Sequence, residues 1–256
     1  MKTKHQFWQL LPLLGFIVLY GCKSSQSQTS EKGFKPIFDG KTLTGWEGDP
    51  VYWRVEEGAM VGEITPTTLL KTNSFIIWKG GQPADFELKG EFFITQAGNS
   101  GINYRSERLT EPAFALRGYQ ADIDGNRRYT GQNYEERKRT TLAYRGQITT
   151  IRPQTGGTMT PEAIRAKVQR NAWTELDITG SLGHTDSLKT KIKHEDWNTF
   201  HIVAKGTRLQ HYINGILMSD VTDNDAVNGA AKGWLGVQVH VGPPMKVKYR
   251  NLRLKE

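Results

Sequence analysis

Residues 98–124, GNSGINYRSERLTEPAFALRGYQADID, decide how this chain folds. Two alternating runs flank a loop. In the first, Ile102 and Tyr104 alternate with Asn103 and Arg105. In the second, Tyr119, Ala121 and Ile123 alternate with Gln120, Asp122 and Asp124. Successive side chains on a strand point to opposite faces, so each run has one apolar face for a core and one face rich in amide, guanidinium and carboxylate groups. An antiparallel sheet can expose such a face to water, and a solvated outer face is the plain alternative to a site for a polar ligand.

The same punctuation continues outward from this stretch. FKPIFDGKTLTGW reads as a short strand, an Asp39-Gly40 turn and a tryptophan-bearing extension, and VYWRVEEGAMVGE alternates, turns at Glu57-Gly58 and resumes. LLKTNSFIIWKG and DFELKGEFFIT give two more strands. Residues 125–139 are polar and rich in Gly, Asn and Arg, and read as a long loop over one edge. TLAYRGQITTIRP reads as a strand pair centred on Tyr144-Arg145-Gly146. Within an otherwise irregular insertion over 156–192, Thr160-Pro161-Glu162 starts a helix, with Thr as N-cap and Pro at its first position, predicted to end near Asn171. The last third returns to strands, with a hairpin turn at Asn214-Gly215 and alternation of Val237 and Val239 with Gln238 and His240. Many short strands with Gly, Asp and Asn between them predict a single antiparallel sandwich with one short helix.

The beginning of the chain reads differently. A short basic start, an apolar run from Phe7 to Tyr20, then Gly21-Cys22 and a Ser/Gln-rich stretch have the layout of a secretory signal. The run is shorter than the roughly 20 residues that span a bilayer. The segment resembles a bacterial lipoprotein signal, which implies residues 1–22 as signal with Cys22 lipidated, 23–33 as a flexible tether and 34–256 as the body. No acidic run follows Cys22, so the expected location is the outer membrane, facing the periplasm, with membrane contact through the lipid alone. Cys22 is the only cysteine, which excludes an internal disulfide. Lys2 and Lys4 account for two of the net +8, and the remaining basic residues are scattered among acids without a nucleic-acid-binding motif. A nucleic-acid partner is therefore not expected; anionic glycans and lipid head groups fit a basic surface equally well.

FDGKTLTGW, NSGINYRS, GYQADID, YINGILMSDVTD and GWLGVQVHVGPPMKVKYRNLRLKE occur in an order that resembles the 3-keto-disaccharide hydrolase domain family over Phe34 to Glu256. The resemblance implies a concanavalin A-like jelly-roll sandwich. It also implies an oligosaccharide or glycoside substrate oxidised at C3. A C3 ketone acidifies the C2 proton; a base removes it, and the enolate expels the glycosidic oxygen from C1. Such chemistry needs a base and a positive or hydrogen-bonding partner for the enolate oxygen, a role that a divalent metal can also fill. The candidates are His240 or Asp122 as base and Arg105 as stabiliser, with Asn103, Gln120, Asp124 and Gln238 as hydroxyl binders. Asp122, Asp124 and His240 together offer a possible cation site of mixed oxygen and nitrogen donors.

Structural roles compete at each position: a backbone-bonded histidine at His240, an Asx turn at Asp124, an Arg105–Asp122 pair. Two other functions compete as well. A non-catalytic carbohydrate-binding module is one. An ordinary retaining glycosidase, which needs two carboxyls flanking a bond, is the other, disfavoured because no Glu alternates along the strand of Asp122.

Overall fold

The period-2 alternation of the central segments produces strands that are greasy on one side, and burying those sides against each other gives two packed sheets. The computed structural model describes Met1 and Glu31–Glu256, so the apolar leader, Cys22 and most of the tether lie outside the described residues. Residues 31–33 form a turn against the body: the Phe34 N–H donates to the Glu31 carbonyl at 3.0 Å, and the Glu31 carboxylate meets Lys89. Among the described residues no helix is long and apolar enough to cross a membrane.

The strands, in chain order, are β1 (Lys35–Pro36), β2 (Trp46–Glu47), β3 (Trp53–Glu56), β4 (Ala59–Ile64), β5 (Ser74–Trp78), β6 (Phe86–Ile94), β7 (Asn99–Leu109), β8 (Ala115–Asp124), β9 (Asn133–Glu136), β10 (Thr140–Ala143) and β11 (Gln147–Ile151). After helix α1 (Pro161–Ala166) come β12 (Val168–Gln169), β13 (Ala172–Trp173) and β14 (Leu176–Ser181). Helix α2 (Thr185–Lys189) precedes β15 (Asn198–Lys205), β16 (Arg208–Ile213), β17 (Ile216–Asp223), β18 (Trp234–Val239) and β19 (Met245–Lys255). One sheet runs β14-β11-β17-β16-β15-β6-β19-β4-β3, with β1 beside β19. The other runs β12-β13-β10-β9-β8-β7-β18-β5-β2. This is a jelly-roll sandwich of the concanavalin A-like class, as the family resemblance implies.

The core lies between the sheets. β6 alternates buried and half-buried residues along its whole length, sending Phe86, Leu88, Phe92 and Ile94 inward. From the opposite sheet Ile102, Tyr104, Tyr119, Ala121, Val237 and Val239 meet them. Tyr104 stacks on Tyr119 at 5.6 Å between ring centres and takes Phe86 edge-on at 5.8 Å. A polar chain threads this core. The His211 Nδ1 faces the Gln132 carbonyl at 3.2 Å, so it carries the proton; Nε2 accepts from the Tyr104 hydroxyl at 2.9 Å, and Asn133 donates to that hydroxyl at 3.2 Å. Burial holds the His211 pKa down at about 4, so the ring is neutral near pH 7.

Several local expectations are met. Asn214 and Gly215 take φ values of 51° and 78°, the two left-handed residues of a tight hairpin between β16 and β17. The Thr160 hydroxyl accepts from the Ala163 N–H at 3.2 Å, capping α1 with Pro161 in its first turn.

Others are corrected. Helix α1 stops at Ala166 rather than near Asn171, because Arg170 and Asn171 both adopt left-handed φ and turn β12 back onto β13. The 156–192 insertion contributes those two strands to one sheet and β14 to the edge of the other, and carries the second short helix, α2, where one helix is expected. The segment 125–139 is not all loop: its end forms β9, hydrogen-bonded along β8. The two TLAYRGQITTIRP strands form but do not pair with each other. β10 pairs with β9 and β13, β11 pairs with β14 and β17, and the chain crosses between sheets at Tyr144–Gly146.

Candidate active site on the outer face of the β7–β8–β9 sheet

Strand pairing places the polar residues of β7, β8, β9 and β18 side by side. Asn103 lies opposite Gln120, Gly101 opposite Asp122, Gln120 opposite Tyr134, and Gly118 opposite Glu136. β18 pairs on the other side of β7, and Gln238 lies opposite Phe75 of β5. The same face holds a small apolar cluster of Phe75, Ile77 and Leu116, with Trp234 against it.

The polar centre is tightly bonded. Gln120 Nε2 donates to one Asp122 oxygen at 2.6 Å, and Gln132 Nε2 donates to the other. Gln238 Nε2 donates to Gln120 Oε1 at 3.1 Å. Gly101 makes this arrangement possible: a Cβ there would sit 2.4 Å from the Gln120 side chain. Burial raises the Asp122 pKa to about 7; the two amide donors pull it back, and the neighbouring Glu136 and Asp124 charges push it further up. Glu136 is raised too, first by burial, against the opposing effects of Asn73, Arg137 and His240. Its carboxylate accepts from Asn73 Nδ2 at 3.0 Å, and Asn73 Oδ1 accepts the Val241 N–H at 2.9 Å. The segment before β5 thus reaches over this face and touches the end of β9. Two buried acceptors here, Asn103 Oδ1 and Gln238 Oε1, have no hydrogen-bond partner. Buried polar atoms are seldom left so.

His240 and Asp124 stand at the ends of β18 and β8 and line a cleft of about 260 Å³ with Arg128 and Tyr129. The His240 Nδ1 faces the Val241 carbonyl at 2.6 Å, so the proton of the neutral ring sits on Nδ1 and the lone pair on Nε2. Glu136 is electrostatically coupled to both His240 and Asp122, so it links the cleft to the sheet face.

The expected convergence of Arg105, Asp122 and His240 is not found: Asp122 is held among amides on the sheet face, and His240 lines the cleft with Asp124. Arg105 is elsewhere. The register between β7 and β8 shifts between Tyr104 and Glu107, and Arg105 sits at φ 44°, so the alternation breaks at that residue. Its guanidinium donates to the carbonyls of Ala84 at 2.8 Å and Gly206 at 2.7 Å, and to Asp85 at 3.1 Å. No pair with Asp122 forms.

Asp124 is also corrected. Its carboxylate accepts the N–H groups of Arg128, Tyr129 and Thr130 at 2.8–2.9 Å, which makes it the organiser of the 125–130 loop and not a free hydroxyl binder. With those oxygens occupied and both Asp122 oxygens held by amides, Asp122, Asp124 and His240 do not fit a divalent cation. Among the described residues no group of three or more His, Cys, Asp or Glu could hold one.

Sequence reasoning missed Glu136 and Tyr134. No Glu lies along β8; Glu136 arrives from β9. The alternation Asn133-Tyr134-Glu135-Glu136 is its only local signal.

Two packed, mostly antiparallel sheets, one with an amide- and carboxyl-lined outer face, define a jelly-roll β-sandwich. The sequence model of the 3-keto-alpha-glucoside-1,2-lyase-like domain matches residues 33–255, and the chain belongs to that family. It is thus a glycoside-related protein with a sugar-type ligand. Two solved proteins of Parabacteroides distasonis ATCC 8503, both provisionally designated glycosyl hydrolases, share the fold. One is 15% identical, with a TM-score of 0.52 over 87% of this chain and 98% of its own. The other is 19% identical, with a TM-score of 0.50 over 87% and 93%. No curated protein matches the chain.

Proposed function

We propose that the protein cleaves 3-keto-glycosides by removing the C2 proton and eliminating the C1 substituent. The observation that carries this reading is Asp122, a buried carboxyl with a pKa of about 7 on the same sheet face as Asn103 and Gln238, whose side-chain oxygens have no partner. A base poised near neutrality is what proton abstraction beside a carbonyl requires. Asp122 takes the C2 proton, and the electron pair moves onto the C3 oxygen. When the ketone re-forms, the pair shifts to make a C1–C2 double bond and the C1–O bond breaks. The leaving oxygen takes a proton from Glu136, whose pKa burial raises. Water adding at C1 completes net hydrolysis; without it the product is an unsaturated keto-sugar. His240 Nε2 is the second candidate base.

The Asp122/Glu136 pair also favours a second reading, an ordinary glycosidase using two carboxyls. Incubating the protein with a phenyl glucoside and its 3-keto derivative separates the two. Phenol released from the keto form alone supports elimination. Release from the unoxidised glucoside supports the second reading, and binding without release leaves a carbohydrate-binding module. We further propose attachment to the outer membrane through lipidated Cys22, facing the periplasm. Cys22→Ala should move the protein from the membrane fraction to the soluble periplasmic fraction, and an unmodified Cys22 in the wild type by mass spectrometry would refute the anchor.

A further inference from the structure

Beside the polar face, between β9 and helix α1, lies a cavity of about 690 Å³. Its volume is in the range of small-molecule sites. Its wall carries four cations, Arg117, Arg137, Lys138 and Arg165, against one lining carboxylate, Glu107. Glu107 is held by Arg117 at 2.6 Å. Arg137 lies 3.7 Å from Glu136 and donates to the Thr72 hydroxyl at 2.6 Å, and Lys138 lies 3.6 Å from Glu135 and reaches the Asn228 carbonyl. Arg165, exposed in the last turn of α1, forms no ion pair among the described residues.

The cavity is not a separate surface feature. Tyr134 lines it and stands opposite Gln120 on the sheet. The ring's hydroxyl is coupled to Asp122 and Glu136 on one side and to Arg165 on the other, and burial raises its pKa. The cavity therefore opens beside β9, the strand next to the one that carries Asp122.

We infer that this cavity receives an anionic sugar, one bearing a carboxylate or sulfate, joined to the sugar whose bond is broken. Excess positive charge in a walled cavity favours a negative ligand more than the same charges spread over an open surface. Guanidinium groups match carboxylate and sulfate oxygens in pairs. The insertion supplies Arg165, and this gives the α1 segment a role in substrate choice. The inference rests on the proposed cleavage for which bond is broken, but the charge preference stands on the cavity alone.

The test compares 3-keto-glucosides whose leaving sugar is glucose, glucuronate or glucose 6-sulfate. Either anionic substrate should show a kcat/KM at least tenfold above the neutral one at low ionic strength, with the ratio shrinking toward one in 0.5 M salt as charges are screened. Preference for glucuronate alone assigns a carboxylate, and preference for the 6-sulfate alone assigns a sulfate. The double variant Arg117→Gln/Arg165→Gln should bring the ratio near one. Equal rates for all three in the wild type, or a ratio unchanged in the double variant, overturns the inference. If none is cleaved, calorimetric titration of the three compounds decides. Tighter binding of an anionic one keeps the charged cavity and removes the cleavage reading, and equal binding removes both.

Discussion

A carboxyl buried where its ionised form is poorly solvated must be either structural or chemical, and Asp122 can be tested for both. Asp122→Asn keeps the shape and removes the base, so turnover of a 3-keto-glycoside should fall by about 100- to 10,000-fold. The variant should keep the wild-type circular dichroism spectrum. In the wild type, kcat/KM should rise with pH through about 7 as the carboxyl ionises. The stability consequence has a definite sign. The folded pKa of about 7 lies above the ordinary 3.8, so the folded state binds the proton more tightly than the unfolded chain. The contribution of this group is full below 3.8, declines as pH rises through that window and is lost above about 7. Denaturant titrations at pH 5 and pH 8 should therefore show a smaller loss between the two pH values in Asp122→Asn than in the wild type. Equal losses would mean that the carboxyl is not so perturbed.

Arg105 calls for the opposite expectation. Its three hydrogen bonds tie β7 to the segment before β6 and to the β15–β16 turn, and the side chain is buried. Arg105→Ala should cost about 3 kcal/mol of stability, read as a shift of the urea midpoint, with kcat of the folded fraction within about twofold of wild type. A tenfold loss of kcat in a fully folded Arg105→Ala variant would return this residue to the chemistry.

Elements were legible in the sequence where one side chain in two was apolar. β6, β7, β8, β18 and the Asn214-Gly215 hairpin all follow that rule, and with them the two-sheet architecture. Two things hid the rest. β9 has no apolar alternation: its inward positions are Asn133 and Glu135, both fully buried, so its burial pattern is satisfied by charge and amide instead of by hydrocarbon. A polar segment read by hydropathy becomes a loop, and Glu136 disappears with it. The second obstacle is the extra residue in β7. Counting by twos from Asn103 puts Arg105 on the site face, and no composition signal marks the shift after Tyr104.

The element that closes over the face was also unreadable, because its contacts are distant in sequence. Asn73 joins Glu136, 63 positions away, to the backbone of Val241, 168 positions away. Asn73→Ala removes both bonds and leaves the Val241 N–H without this acceptor, at a cost of about 1–3 kcal/mol. Amide hydrogen exchange at Val241 should accelerate in the variant. Unchanged exchange there would show that the crossing segment does not hold the end of β18.

At the scale of the whole sandwich, the two sheets are joined by charge as well as by hydrocarbon. Arg139 follows β9 in one sheet and is fully buried. It contacts Glu135 of the same sheet at 2.5 Å, Asp223 at the end of β17 in the other sheet at 2.6 Å, and Asp225 beyond it at 3.3 Å. The Tyr119 hydroxyl donates to the same Asp223 at 2.6 Å and also faces the Arg139 guanidinium. Burial alone would drive a proton off the guanidinium, but the carboxylates Glu135 and Asp223 overcome it and raise its pKa. The cluster sits directly behind β9, so it also fixes the strand that carries Tyr134 and Glu136 to the outer face. Removing the cation leaves three buried carboxyls facing one another. Arg139→Met should cost about 3–5 kcal/mol, enough to empty the folded state of a marginal domain. Because an unfolded variant says little, the informative comparison adds neutral partners: Arg139→Met combined with Glu135→Gln and Asp223→Asn should regain a measurable part of the lost stability, since an uncompensated charge costs more than an uncharged amide. Melting temperatures of the three proteins decide it, and a triple variant no more stable than Arg139→Met alone would show that the guanidinium serves by packing and not by balancing charge.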